Sequence, residues 1–459
     1  MASYLVSNKT FKNIDNISLN EALTLLENFN ILGLDTETTG LEFNLHKLLL
    51  IQIGNEEIQI AFDITYFNNK IPIELKNFLE SKRLFIGHNI KFDLKFLYYY
   101  GVIITKVYDT FLGEIITTNG LKKGGKGLKD VVLENFGDNL DKDVIKIILT
   151  RGITEEVIFY AWKDVVYLEK LMNIQLRKAK QMNLLKAIEL DNNFVIVLSY
   201  IEVCGFYLNW ESWEKKSKND LKLLETNETK LNKWLGGNYP EYVDKQLNLW
   251  GEEINYLINW NSSKQVIQLF EKIGINITVF EKGVEKKSVE APVLITQKEK
   301  FEIIPLYLEY KENQKVCSTY GLSWKNQINP KTNRIHTTFF QINDTGRLSC
   351  GGGKKEDEKK VNLQNIPSDK ITRNCFQAQK GRKLINADYS GQEAIVLCNF
   401  SKEPNLINFY KKGLGDFHSY VASLIFSELQ GLSVDEIKLN HKNKRNLAKS
   451  AGFAMYHFI

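Results

Sequence analysis

Residues 31–40, ILGLDTETTG, decide how the first part of this chain is built. A short apolar run meets two acids at alternate positions, which reads as a strand ending in carboxylates. Side chains alternate along a strand, so Asp35 and Glu37 point to one face. Two carboxylates so placed are costly to bury without a cation, and the pair therefore points to a metal. Outward from this stretch, residues 48–53 and 57–62 read as further strands, and residues 93–100 and 155–172 as helices. Strands mixed with helices in the first 183 residues predict an α/β or α+β domain built on one sheet.

Two more acids join the first pair. Asp93 stands in HNIKFDLKFL on the first turn of an expected helix, and Tyr160 and Asp164 lie four apart in YAWKD, on one helix face. The set Asp35, Glu37, Asp93 and Asp164 offers hard oxygen ligands suited to Mg²⁺ or Mn²⁺. Such a set suits two-metal hydrolysis of a phosphodiester, with the Tyr160 hydroxyl orienting the attacking water. Any one of these acids alone would pass for an ordinary strand-end or surface carboxylate; the joint pattern decides.

Composition narrows the class without choosing a function. The 459 residues are 43% hydrophobic and 25% charged, which permits sizeable cores and excludes global disorder. The length fits two to four domains. The longest apolar candidate, residues 194–203, is broken by Tyr200 and Glu202 and falls short of the ~18 residues a membrane span needs. The opening MASYLVSNKTFKN lacks the layout of a secretion signal. Five scattered cysteines with no C-x-x-C pair predict a reduced cytoplasmic chain without a disulfide framework or zinc site. A net charge of +5 permits nucleic acid as a partner without arguing for it. No repeat of 20 to 50 residues occurs, which excludes solenoids and propellers. Residues 122–127 (KKGGKG) and 354–360 (KKEDEKK) read as surface loops. From about Asn183 to Tyr320 the pattern is mostly helical; Asn329-Pro330 is a turn, residues 335–342 look extended, and residues 383–387 read as a strand leading into a helix.

The motifs D-x-E (Asp35, Glu37), N-x-x-x-D (Asn89 to Asp93) and Y-x-x-x-D (Tyr160 to Asp164), in that order, resemble the three motifs of the DEDDy 3′–5′ proofreading exonucleases. In the second half, TGRLS (345–349), NLQNIPS (362–368), ADYSGQE (387–393) and RNLAKSAGF (445–453) resemble family-A DNA polymerases, the bacterial polymerase I group and its phage relatives. NSSKQ (261–265) and LEYKENQKVCSTYG (308–321) resemble the thumb of that family. The resemblance implies an RNase H-like α/β exonuclease domain over residues 1–183. A mostly helical thumb with connecting helices follows over 184–334, then the first part of an α+β palm over 335–401 and incomplete fingers over 402–459.

The resemblance also implies roles. Asp388 would hold two Mg²⁺ or Mn²⁺ ions beside the incoming deoxynucleoside triphosphate, as the exonuclease acids would hold two more. Glu393 would exclude a ribose 2′-hydroxyl. Arg445, Lys449 and Phe453 share one helix face, the cations for phosphates and the ring for the base. Between Lys438 and Ile459 five Lys or Arg and no acid occur, which suits a phosphate-facing element. Asn261, Ser262, Arg347, Gln364 and Asn365 match positions that touch primer or template, and His418 matches an acid-x-His segment. The implied partners are primer-template and single-stranded DNA, at the nucleoid or replication site, or in the host cytoplasm for a phage protein.

Two departures stand out. DYSGQE replaces the usual DYSQIE, changing Gly391 and Gln392. After Phe453 the chain reads AMYHFI, without the family's tyrosine-glycine pair or its later His-Asp motif. One palm carboxylate does not hold two cations in working geometry, so the expectation is exonuclease activity without polymerisation unless a second chain supplies the remaining palm and fingers. A split gene, an interruption near Ala454 or a truncated frame would each produce this ending. The competing expectations are a stand-alone 3′–5′ exonuclease whose thumb grips DNA, and an inactive DNA-binding scaffold.

Overall fold

The apolar runs of the first 109 residues form a seven-stranded mixed sheet, ordered β2-β1-β5-β4-β3-β6-β7. The strands are β1 (Ala2–Val6), β2 (Asp15–Asn16), β3 (Ile31–Thr38), β4 (Leu48–Gly54), β5 (Ile58–Asp63), β6 (Leu84–Gly87) and β7 (Val107–Asp109). The computed structural model describes residues 2–457 except 119–120, 122–124, 141–143, 249–250, 282, 344, 353–359 and 390. For residues 144–146, 246–248, 251–253 and 451–457 only the backbone is described. Most of the two expected surface loops thus lies outside the described residues. β4 and β5 are buried along their whole length, as central strands covered on both faces should be.

The pairing of β3 makes room for a site. β3 runs antiparallel to β4 from Gly33 to Thr38, with an irregularity between Glu37 and Thr38, but parallel to β6 only at residues 31–33. Beyond Gly33 no strand among the described residues pairs with the β6 side of β3. This is the carboxyl end of the parallel strands β3, β6 and β7, where α/β sheets present their ligands. Helix α1 (Lys91–Tyr99) follows β6, and α2 (Thr110–Thr117) follows β7, capped by Asp109.

Helix α3 (Glu155–Val166) lies against β3, β4 and β5, its start capped by Thr154. Gly33 permits the close approach: a Cβ there would meet the Val165 carbonyl oxygen at 2.8 Å and the Gly54 carbonyl oxygen at 3.0 Å. The single helix expected over 155–172 is two. The chain turns at Tyr167, whose hydroxyl donates to Asp138 at 2.6 Å, and α4 (Leu168–Gln181) then packs mainly on α2 and reaches β3 and β6 of the sheet. Helix α5 (Leu185–Cys204) packs along α1.

The helical stretch continues with α6 (Trp210–Asn238), α7 (Ser263–Ile273) and α8 (Ile303–Thr319) around a core holding Trp260, Phe270 and Tyr307. Two hairpins interrupt it, Val243–Asn248 with Gly251–Tyr256 and Thr278–Glu281 with Val284–Lys287. The second is exposed on both strands apart from Val279, so burial imposes no alternation of apolar and polar residues that a sequence could display. The 335–342 stretch pairs in two short pieces, Arg334–Ile335 with Ile328–Asn329 and Phe339–Phe340 with Ser349–Cys350.

The chain divides into two compact units, 1–379 and 380–459. The second is helical: α9 (Gln392–Ser401), α10 (Phe417–Ile425), α11 (Val434–Asn440) and α12 (Lys442–His457), with Ala422, Leu429, Ile437 and Ala448 in its core. The strand expected at residues 383–387 does not form. These residues have no ladder partner among the described residues, and Leu384 and Ile385 are 68% and 88% exposed. A lone extended segment has nothing to satisfy its backbone groups except water. No helix among the described residues is long and apolar enough to cross a membrane.

Candidate active site

β3 brings two acids to one face, and the last turn of α3 brings a third. The carboxylate oxygens of Asp35, Glu37 and Asp164 lie within 4.8 Å of one another. Asp164 is buried, while Asp35 and Glu37 are half-buried; Asp35, Asp164 and Tyr160 line a cleft of about 920 Å³. Burial pushes the Asp35 carboxyl up to about 7. Burial, then the charges of Asp35, Asp164 and Asp93, push Glu37 well above the usual carboxylate range. Carboxylates gathered so closely that their charges raise Glu37 make a poor anion cluster alone and a good cage for a hard divalent cation. The donor set fits Mg²⁺ or Mn²⁺.

Asp93 stands one step outside the trio. It is 2% exposed and accepts a 2.6 Å hydrogen bond from the Thr36 hydroxyl, the residue between Asp35 and Glu37. Its charge still reaches Glu37 and Asp35. The α1 terminus that carries it is fixed from β7: Asn89, in the left-handed region at φ 60°, donates its N–H to Asp109 at 2.8 Å. Asp109 is 1% exposed and also accepts from the Phe111 N–H at 2.9 Å, so one carboxylate ties the starts of α1 and α2. Burial holds that carboxyl up, at about 6. Tyr160, one helical turn before Asp164, is hydrogen-bonded to it; burial, then the charges of Asp164, Glu37 and Asp35, push the phenol above its ordinary value, so it keeps its proton.

Sequence reasoning missed Thr36, Gln52 and Asp109. Gln52 on β4 stands directly across from Asp35 and donates its amide to Asp35 Oδ2 at 3.3 Å. Asp109 had a signal, an acid between a short apolar run and a helix; Thr36 and Gln52 had none, because their partners come from pairing and packing.

The cleft above the acids is lined by Lys91, Lys126 and Lys129 and by Phe92, Phe111 and Phe340. Cations for a phosphate backbone beside rings for bases suit a single nucleic-acid strand.

The sequence-derived polymerase residues fall in both units. Asp388 and Glu393 are exposed, Glu393 in the first turn of α9, and the only cluster of three metal-ligating groups among the described residues is the Asp35, Glu37 and Asp164 trio. The unusual Gly391 takes φ 64° at the start of α9, a conformation glycine adopts without strain. Arg445 is held by Asp416, Nε to Oδ2 and Nη2 to Oδ1 at 2.7 Å each, which leaves its remaining donors for a ligand. Lys449 lies one turn further along α12, and the Phe453 side chain lies outside the described residues. His418, on the first turn of α10, is half-buried.

In the first unit, Ser262 caps α7 through Gln265, and Asn261 is exposed beside it with its N–H on Asn259. Arg347, Gln364 and Asn365 are exposed, and the Asn365 carbonyl accepts from the Tyr320 hydroxyl.

The family model of DNA polymerase family A matches residues 229–457, and that of 3′–5′ exonuclease matches residues 13–197. Over 96% of this chain, DNA polymerase I of Aquifex aeolicus is 27% identical and that of Borreliella burgdorferi 28%. The chain spans 71% of the first protein's length and 46% of the second's. The solved POL domain of Pol1 from M. smegmatis, in complex with DNA primer-template and dNTP, matches 99% of this chain and 71% of that one, with a TM-score of 0.69 and 18% identity. A likeness at that identity speaks to the fold.

Proposed function

Since the chain belongs to DNA polymerase family A and carries a 3′–5′ exonuclease domain, we propose that residues 1–183 remove nucleotides from the 3′ end of single-stranded DNA. The observation that carries this reading is the approach of Asp35, Glu37 and Asp164 within 4.8 Å, two of them, Asp35 and Asp164, lining a cleft with cationic and aromatic walls. Asp35, Glu37 and Asp164, with Asp93 beside them, would hold two Mg²⁺ or Mn²⁺ ions. When bound, these ions supply an activated water and offset the charge that develops on the scissile phosphate. The Tyr160 hydroxyl, protonated and anchored to Asp164, orients the attacking water. Lys126 and Lys129 neutralise the strand's phosphates, and the three phenylalanines offer faces for its bases. A 3′-labelled oligonucleotide digested by the parent and by an Asp35→Ala, Glu37→Ala double variant tests this. Retained activity in the double variant would sink the assignment.

Template-directed synthesis belongs to the same proposal at a coarser level. In the second unit Lys449 and the remaining donors of Arg445 meet the triphosphate, Glu393 excludes a ribonucleotide, and Asp388 supplies one metal-binding carboxylate. Residues 184–334 act as the thumb, and Asn261, Ser262, Arg347, Gln364 and Asn365 contact primer-template. A further polypeptide segment, in this chain or a second one, supplies the other palm carboxylate. The protein works where the DNA is, in the cytoplasm. A second reading, exonuclease alone with a DNA-gripping thumb, is favoured by one observation: Asp388 is exposed and outside any three-acid cluster among the described residues. Primer extension by an exonuclease-dead variant, with and without a polypeptide carrying the rest of a family-A palm and fingers, separates the two.

A further inference from the structure

β4 reads LLLIQIG, and all seven residues are buried. Six are aliphatic or glycine. The seventh, Gln52, is 0% exposed, and an amide buried in such a strand weakens the fold unless its polar atoms are matched. They are matched only in part. Gln52 Nε2 donates to Asp35 Oδ2 at 3.3 Å, while Gln52 Oε1 has no partner among the described residues. The opposite orientation of the amide would set its oxygen against a carboxylate oxygen, so the nitrogen belongs toward Asp35.

The sheet register makes this contact inevitable. Gln52 stands across from Asp35 on one side and from Ala61 on the other, so the three side chains share the face that α3 covers. Ala61 is small and shares a buried cluster with Ile158 and Trp162 of α3, so Gln52 is the long side chain beside Asp35 in that cross-strand row. Packing alone would be served better by Leu or Met, which carry no unmatched oxygen.

We infer that Gln52 is a positioning residue of the exonuclease centre, holding one oxygen of Asp35 so that the other faces Glu37 and Asp164 in a fixed direction. This rests on the proposed metal-dependent exonuclease. Groups that hydrogen-bond a metal-ligating side chain fix its orientation, and their loss weakens metal affinity by about 10–100-fold.

The experiment measures Mn²⁺ binding to the full chain without DNA, by electron paramagnetic resonance, in the parent, Gln52→Met, Gln52→Asn and Asp35→Ala. Thermal midpoints and exonuclease kinetics accompany it. Methionine keeps the volume and removes the donor; asparagine keeps an amide but shortens its reach. The expected result is Mn²⁺ affinity about 10–100-fold weaker in both Gln52 variants, with kcat reduced and the KM for DNA unchanged. The thermal midpoint should be held in Gln52→Met and lowered in Gln52→Asn, an order a purely packing role would carry into activity as well. If Gln52→Met does not fold, the affinity of Gln52→Asn decides alone. Mn²⁺ affinity within twofold of the parent in either folded Gln52 variant overturns the inference while leaving the exonuclease reading intact. Unchanged binding and digestion in Asp35→Ala overturn both.

Discussion

Asp35 and Asp388 look alike as sequence: each closes a short apolar run, ILGLD in one and KLINAD in the other. Their surroundings differ completely. Asp35 lies inside a paired strand, faces two other carboxylates, and is pushed up to about 7 mainly by burial. Asp388 follows a segment without a ladder partner among the described residues and is itself exposed. A carboxylate acquires metal-binding chemistry from what desolvates it and what repels it, and neither is written beside it in the chain.

The largest effect expected from this contrast is catalytic. Asp164→Ala should lower exonuclease kcat by about 10²–10³-fold or more, on the order of 3–4 kcal/mol of transition-state stabilisation, whereas Asp388→Ala should leave digestion of a labelled single strand unchanged. Equal losses in both variants would break the comparison. Chelating the divalent ion should abolish digestion by the parent as fully as the double Asp35→Ala, Glu37→Ala change.

Next in size is the contact that lets α3 reach the sheet. A Cβ at Gly33 meets two backbone oxygens at 2.8 and 3.0 Å, so Gly33→Ala should displace Asp164 and destabilise the fold by about 1–3 kcal/mol. Denaturant unfolding and the exonuclease rate should fall together; unchanged values of both would mean that α3 yields without cost. Thr36→Val removes the donor to Asp93 and should cost about 1–3 kcal/mol of transition-state stabilisation, read as kcat, since a buried acceptor loses its partner.

The smallest effect concerns acid stability and compares the two units directly. In the first, burial raises Glu202, but Lys95 and Lys91 outweigh it and hold the carboxyl below its usual range; Lys91 stands 2.8 Å from the Glu202 carboxylate and also donates to the Phe339 carbonyl. In the second, burial likewise raises Asp416, while its bonds to Arg445 and Ser419 hold it well below that range. Both folded values lie below the unfolded ones. Each group therefore adds stability above the ordinary carboxylate pKa of about 4, lost as pH falls through the depressed folded value. Glu202→Gln and Asp416→Asn should each flatten the acid limb of unfolding for its own unit, followed by tryptophan fluorescence for the first and helical circular dichroism for the second. Identical pH profiles in parent and variants would remove these pairs from the account.

Much of the candidate acid centre was legible because its spacing is local. Asp35 and Glu37 share a face by strand alternation, and Tyr160 and Asp164 by helical periodicity, whatever the rest of the chain does. Asp93 was legible as a member of the set but not as the member held apart on Thr36, since that bond joins residues 57 apart in sequence. The strand expected at 383–387 failed for the converse reason: an apolar run reports the capacity to pair, and pairing needs a neighbour.

By itself the sequence determined which side chains could do the chemistry and on which local faces they stand, because backbone geometry sets those periodicities within a few residues. Tertiary structure alone decided which of them meet. The register that sets Gln52 across from Asp35, the missing Cβ at Gly33 under Val165, the Asp109 carboxylate joining two helix starts, and the Asp416 carboxylate that occupies one edge of Arg445 all arise between distant residues. Contacts of that kind depend on the register and packing of the whole sheet and its helices, which no short window of residues encodes.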